Sequence, residues 1–288
     1  MDNVNIKAFF DQVTFTVTYI VSDKSSKECA IIDTVRDFES ASGRTTTQSA
    51  DALIEYIHDN QLKTKWILES HAHADHLSAA PYLKEKLGGK TAIGAHIKEV
   101  QSTFKGIFNL EQEFNVDGEQ FDQLLNDGDV IKIGETEINI LHTPGHTPAC
   151  LSYKVDDAIF VGDTLFMPDY GTARADFPGG DAKTLFQSIS KILSLPDDTK
   201  IFVGHDYKAT GRDVYAWETT VALQKNNNIH LKNNTTQEQF VELRNARDAT
   251  LNMPNLILPS VQVNIRAGEM PPKEDNGVSY LKLPINLL

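Results

Sequence analysis

Six consecutive residues, His71-Ala72-His73-Ala74-Asp75-His76, carry three imidazoles and one carboxylate. Imidazole nitrogen and carboxylate oxygen are the donors that divalent transition metals take. Ala72 and Ala74 are small and let the backbone turn tightly between them. In an extended course His71 and His73 share one side, where both reach one ion. Asp75 and His76 then point elsewhere, toward a second ion or toward orienting the ligands. The spacing differs from a helical His-Glu-x-x-His site, which relies on an i, i+4 pair. Three more groups complete the pattern. His146 closes Thr143-Pro144-Gly145-His146, Asp163 follows Ile159-Phe160-Val161-Gly162, and His205 follows Ile201-Phe202-Val203-Gly204. In each, glycine lets the chain turn and clears room beside an ion. The expectation is a metal centre on strand-end loops held by a rigid scaffold. His58, His96 and His230 lack this context and are expected to be exposed or hydrogen-bonded. His142 is expected to be structural or to orient its neighbours.

The elements that must position these groups follow from hydrophobic periodicity. Segments 15–21, 29–33, 66–68, 92–94, 130–133, 137–141, 151–155, 158–161 and 201–203 read as strands. A helix capped by Ser49 places Leu53, Ile54 and Ile57 on one face, and another spans 81–87 with Gly88 as its stop. The amphipathic helix 181–193 turns Leu185, Phe186, Ile189 and Leu193 inward. A helix over 237–251 buries Phe240 and Leu243, with Arg247 at the rim. Segment 42–48 reads as a loop. Segment 100–129, with Phe104, Phe108, Phe114 and Phe121, reads as a loop-rich insertion walling one side of the site. Segment 278–285 reads as an extended tail. Strands in hairpin succession, interleaved with helices, suggest two sheets with helices outside rather than a doubly wound sheet.

Composition narrows the partners. The 288 residues are 40% hydrophobic and 23% charged, as in ordinary globular chains, and carry a net charge of −13. Such a surface repels phosphate backbones and anionic headgroups, which argues against nucleic acid and membrane partners. Cys29 and Cys150 are too few and too far apart for a disulfide framework. The first ten residues hold no long apolar stretch, so neither a signal peptide nor a membrane span is expected. A reducing cytoplasm is the expected compartment.

As a set, His71-x-His73-x-Asp75-His76, His146, Asp163 and His205 resemble the metallo-β-lactamase-fold superfamily. The resemblance implies an αββα sandwich with the site at one edge, between the sheets. A catalytic domain over 1–210 would carry a C-terminal helical extension, 211–288, packed on the same domain. His205-Asp206-Tyr207 and segment 171–177 are similar to persulfide dioxygenases. Segments 217–220, 247–250 and 258–264 are similar to the bacterial β-lactamase-like hydrolase branch of that group, which is associated with sulfide detoxification. That branch implies one Fe(II) per chain on His71, His146 and Asp163. His73, Asp75, His76 and His205 would orient it or take a second metal. Tyr207 would donate a hydrogen bond to bound oxygen or substrate. Asp206, which stands where thioester-hydrolysing relatives have Glu, is the second catalytic candidate. Arg174 would bind a carboxylate of a glutathione-like substrate, or else pair with Asp169 or Asp176.

The implied activity is oxidation of a glutathione-type persulfide by O2 to sulfite and thiol. The alternative is a glyoxalase II-like zinc hydrolase of a glutathione thioester, with one or two zinc ions. The acidic charge disfavours a nuclease, and the expected lack of a signal peptide disfavours a secreted lactam hydrolase. Nothing resembles a DNA-binding module that a metal sensor would carry. Self-association through the tail, giving a homo-oligomer, stands as an expectation.

Overall fold

The computed structural model describes residues 3–232 and 234–287. The chain opens with β1 (Val4–Phe10), β2 (Val17–Asp23) and β3 (Glu28–Ile32), an antiparallel meander. A hairpin of β4 (Asp37–Glu39) and β5 (Arg44–Thr46) leads into α1 (Gln48–Asp59). Then follow β6 (Lys63–Leu68), α2 (Ala80–Leu87), β7 (Lys90–Gly94), α3 (Ile97–Ile107) and β8 (Gln123–Leu125). The second half begins with β9 (Val130–Ile133), β10 (Thr136–His142), β11 (Leu151–Val155) and β12 (Ala158–Phe160). It continues through α4 (Ala182–Leu193), β13 (Lys200–Phe202), β14 (Glu218–Thr220), α5 (Val221–Asn227), α6 (Gln237–Asp248) and α7 (Ile257–Asn264).

Two six-stranded sheets result, ordered β1-β2-β3-β6-β7-β8 and β14-β13-β12-β11-β10-β9. Their inner faces meet through Val17, Tyr19, Ile32, Leu68, Ile140, Tyr153, Phe160 and Phe202. Helices α1 and α2 cover the outer face of the first sheet through Leu53, Ile57 and Leu83. Helices α4 and α6 cover the second through Leu185, Ile189 and Phe240. All seven residues of β2 are buried, because both of its faces are covered. This is the αββα sandwich, with seven helices among the described residues. None of these helices is long and apolar enough to cross a membrane.

Several local expectations need correction. Segment 100–129 is loop-rich as expected, but it opens with a helix that was not expected. It contains most of α3 and all of β8, and Phe104, Phe108, Phe114 and Phe121 are buried with Ala72, Ala74, Phe177 and Val261. The helix carries its apolar face on Ile97, Val100 and Phe104, a periodicity that begins before residue 100. Segment 42–48 contains β5 rather than a plain loop. Ser49 does not cap α1: it lies inside the helix and donates its hydroxyl to Asp37 at 2.6 Å. In α6, Leu243 is 36% exposed, and the buried stripe is Phe240, Arg244 and Asp248. A buried ion pair, Arg244 Nη2 to Asp248 Oδ1 at 2.7 Å, occupies the interior at i, i+4 where an apolar residue was expected.

Candidate metal centre

The site gathers the loops that leave β3, β6, β10, β12 and β13 at their C-terminal ends. Asp33 follows β3, the His71–His76 run follows β6, His146 follows β10, Asp163 follows β12 and His205 follows β13. Strand ends from both sheets therefore bring the candidate ligands together on a rigid frame. Gly162 sits at φ +48°, and a Cβ there would lie 2.4 Å from Ser70 Oγ. Ser70 Oγ is 3.0 Å from His71 Nδ1, so the glycine keeps space for the group that orients the first histidine.

Ligand atoms of His71, His146 and Asp163 lie within 4.8 Å of one another, and all three residues are buried. His71 Nε2 is buried and has no hydrogen-bond partner. Burial, with His73 and His146 close by, holds the His71 imidazole neutral, well below the ordinary histidine pKa. His146 donates from Nδ1 to the Arg174 carbonyl at 2.8 Å, which leaves Nε2 facing Asp163 Oδ2 at 3.9 Å. An orphaned buried imidazole nitrogen beside a second imidazole and a carboxylate suits a metal ion.

The remaining residues of the run form a second set, His73, Asp75 and His76, also within 4.8 Å. The grouping thus separates His71 from His73, although their rings are only 4.1 Å apart. His73 turns Nε2 toward Asp33 Oδ1 at 3.1 Å and Glu69 Oε2 at 3.2 Å, and its Nδ1 has no partner. Burial opposes the charged ring, but Asp33 and Glu69 outweigh it and raise the His73 pKa. His76 sets Nδ1 against Asp75 Oδ2 at 2.9 Å, and its Nε2 is likewise orphaned.

His205 lies between the two sets. Its Nδ1 donates to Asp163 Oδ1 at 2.7 Å and its Nε2 to Asp75 Oδ2 at 2.6 Å. Burial works against the cation, yet these carboxylates raise the His205 pKa to about 10.

A pocket of about 220 Å3 opens onto Asp75, His146 and Asp163, walled by Phe166, Tyr170 and Tyr207. The Tyr207 ring lies parallel to that of His205, 5.5 Å away. Burial, then Asp75 and Asp163, raise the Tyr207 pKa and keep its phenol protonated. Two expected site residues are otherwise engaged. Asp206 is 1% exposed and accepts from Arg212 Nη1 and Nη2, both at 2.6 Å, and from the Ala216 amide. It clamps the loop after β13 and does not line the pocket. Arg174 lines the pocket but spends Nε and Nη2 on Asp176 and Nη1 on the Asn252 carbonyl. Its pairing with Asp176 is the alternative expected above.

His58 is exposed, His96 bonds Glu99, and His230 Nδ1 accepts from the Thr172 amide at 3.0 Å. His142 donates to the Pro148 carbonyl and stacks on His96. Sequence reasoning missed Asp33, Glu69 and Asn264. Asp33, at φ +57°, ends β3 as Asp163 follows β12, and that likeness was a usable signal. Asn264 Nδ2 donates to the His73 and His76 carbonyls at 2.8 and 2.7 Å, and Oδ1 accepts from the Ser78 amide. No local pattern marks an asparagine lying 188 residues beyond the loop it holds.

Comparison with known proteins agrees with this geometry. The profile of the metallo-beta-lactamase superfamily matches residues 12–205. Glyoxylase B2 of Dictyostelium discoideum is 51% identical over 100% of this chain and 99% of its own length. The human mitochondrial persulfide dioxygenase ETHE1 is 27% identical over 93% of this chain and 90% of its own. The crystal structure of ETHE1 from Myxococcus xanthus superposes with a TM-score of 0.72, covering 92% of this chain and 100% of that one, at 26% identity.

Proposed function

The chain belongs to the metallo-beta-lactamase superfamily, and from that premise we propose that it is an iron-dependent dioxygenase of a glutathione-type persulfide. Per turnover, RSSH, O2 and H2O give RSH, sulfite and two protons. Dioxygen is the oxidant, the S–S bond breaks, and the terminal sulfur leaves as sulfite.

The observation that carries this reading is the position of His205. By donating to Asp75 Oδ2 it occupies an acid of the second set, and by donating to Asp163 Oδ1 it leaves Oδ2 for the first. The two imidazoles of His71 and His146 and the Asp163 carboxylate then form a ligand group of their own beside an open pocket. Ferrous iron on such a facial group would supply adjacent positions for a sulfur donor and for O2. The chain's own residues do the rest. The Arg174 carbonyl and Ser70 hydroxyl fix the His146 and His71 rings so that each points Nε2 inward. Phe166 and Tyr170 exclude water from the pocket wall. Tyr207 presents a protonated phenol, a hydrogen-bond donor at the pocket face. The 27% identity to a persulfide dioxygenase over nearly the full chain supports the same chemistry.

A second reading has its own observation. His73 Nδ1 and His76 Nε2 are buried and unpartnered, as two further metal-facing nitrogens would be. With zinc on both sets the chemistry would be hydrolytic, in keeping with the name of the glyoxylase relative. One preparation decides between them when loaded once with iron and once with zinc. Oxygen uptake and sulfite formation from glutathione persulfide by the iron form are expected. Thioester cleavage by the zinc form without oxygen uptake by the iron form would give the site to the hydrolase.

A further inference from the structure

We propose that Arg247 recognises a carboxylate on the organic part of the substrate, at the outer end of the pocket that His146 and Asp163 close. The inference deepens the thiol-substrate reading above and rests on it. Three arginines line this pocket: Arg174, Arg244 and Arg247. Arg174 is committed to Asp176 and the Asn252 carbonyl. Arg244 is committed to Asp248 through Nε and Nη2, and to the Thr172 carbonyl through Nη1. The Arg247 guanidinium makes no hydrogen bond or ion pair among the described residues. It is exposed, on the same helix as the buried Arg244–Asp248 pair.

That pair explains why Arg247 stands where it does. Asp248 Oδ2 accepts from the Ala175 amide at 2.9 Å, so α6 is pinned to the loop that carries the His146 contact. Arg247, adjacent to the pin, is held over the pocket mouth while its charge stays unspent. Leu251 and Pro254 line the same rim and lower the local dielectric around it.

Charge makes this cation selective. The chain carries −13 overall, and the acids lining the pocket are Asp75 and Asp163, both already hydrogen-bonded to His205. A free guanidinium in such a surface is a local positive end that fits a carboxylate in two-point fashion. The favoured substrate is therefore a small thiol whose carboxylate lies several bonds from its sulfur.

The test uses the full metal-loaded chain and S-methylglutathione, whose capped sulfur undergoes neither reaction. Calorimetric binding of this probe is compared with that of its uncharged diethyl ester. The wild type should bind the acid roughly ten-fold more tightly than the ester. Arg247→Ala should lose that preference through weaker binding of the acid, and Arg247→Lys should keep part of it. Equal affinity for acid and ester in the wild type, an unchanged preference in Arg247→Ala, or no binding of either probe would each overturn the assignment. A lost preference in Arg247→Ala, with no oxygen uptake by the iron form, would instead sink the dioxygenase reading and leave Arg247 in place.

Discussion

Replacing Asn264 by Ala should damage the metal centre although Asn264 supplies no ligand. Its side chain bonds the His73 carbonyl at 2.8 Å, the His76 carbonyl at 2.7 Å and the Ser78 amide at 2.8 Å. All four residues are at most 4% exposed, so water cannot replace the lost partner without opening the site. Three buried backbone groups would be left unsatisfied. At about 1–1.5 kcal/mol each, the cost is roughly 3–4.5 kcal/mol. That is a large share of the about 5–15 kcal/mol that holds a typical domain together. The loop between His73 and His76 would loosen, so metal affinity should also fall, by about 10–100-fold. Urea denaturation of metal-free protein reads the first effect, and competition with a chelator reads the second. Asn264→Asp sharpens the test. It keeps the acceptor for Ser78 but turns a carboxylate oxygen toward two carbonyls, so it should be at least as damaging as Ala. An Asn264→Ala protein within about 0.5 kcal/mol of the wild type, with unchanged metal affinity, would refute the positioning role.

Three further outcomes are expected. Asp163→Ala should lose most bound metal, and full stoichiometric retention by elemental analysis would count strongly against the ligand assignment. Deleting residues beyond about 235 removes Asn264 and uncovers the surface under Phe240, which is 0% exposed; the product should aggregate or unfold, and a monodisperse, equally stable product would show the tail to be dispensable. The third concerns acid. Burial first, then the charges of Arg244 and Arg247, lower the His230 pKa from 6.5 to about 4. The unfolded chain therefore binds the proton first, and stability should fall as pH drops from about 6.5 toward 4, by on the order of 1–3 kcal/mol. His230→Asn should flatten that slope in urea midpoints measured across the interval, and an unchanged slope would remove His230 as its source.

The candidate ligand set was legible because most of its strand ends mark themselves: a short apolar run, then glycine, then a donor. That signal located His146, Asp163 and His205, while the histidine-rich run directly after segment 66–68 located His71. Helices whose buried face is mainly apolar were legible too, as Leu185 and Ile189 in α4 show. Reading failed where burial depends on pairing rather than hydrophobicity. Arg244 and Asp248 look like surface residues, yet each makes the other's burial possible, and Leu243 was placed inside because it alone looked apolar. Strand β1 was missed because its alternate residues, Asn5 and Lys7, are exposed and read as a polar terminus. Asp206 and Arg174 were assigned to chemistry by their neighbours in the chain, whereas their roles depend on Arg212 and Asp176, which meet them through the fold or in a local turn.

The same limit applies to the number of ions. One list of seven side chains serves either one metal or two, so the count must be decided by groups that compete with metal for the same atoms. Here those groups lie outside the motif. Thr16 Oγ approaches Asp75 Oδ2 at 3.2 Å and His205 Nε2 at 3.1 Å, and Thr16 pairs with His205 across the two sheets. This contact helps fix His205 in the orientation that spends Asp75. The buried Asp33 and Glu69 act in the opposite sense: by engaging His73 Nε2 they turn its Nδ1 inward, as a ligand nitrogen would point. A threonine before β2 and two carboxylates that no ligand motif contains thus orient side chains of both candidate sets.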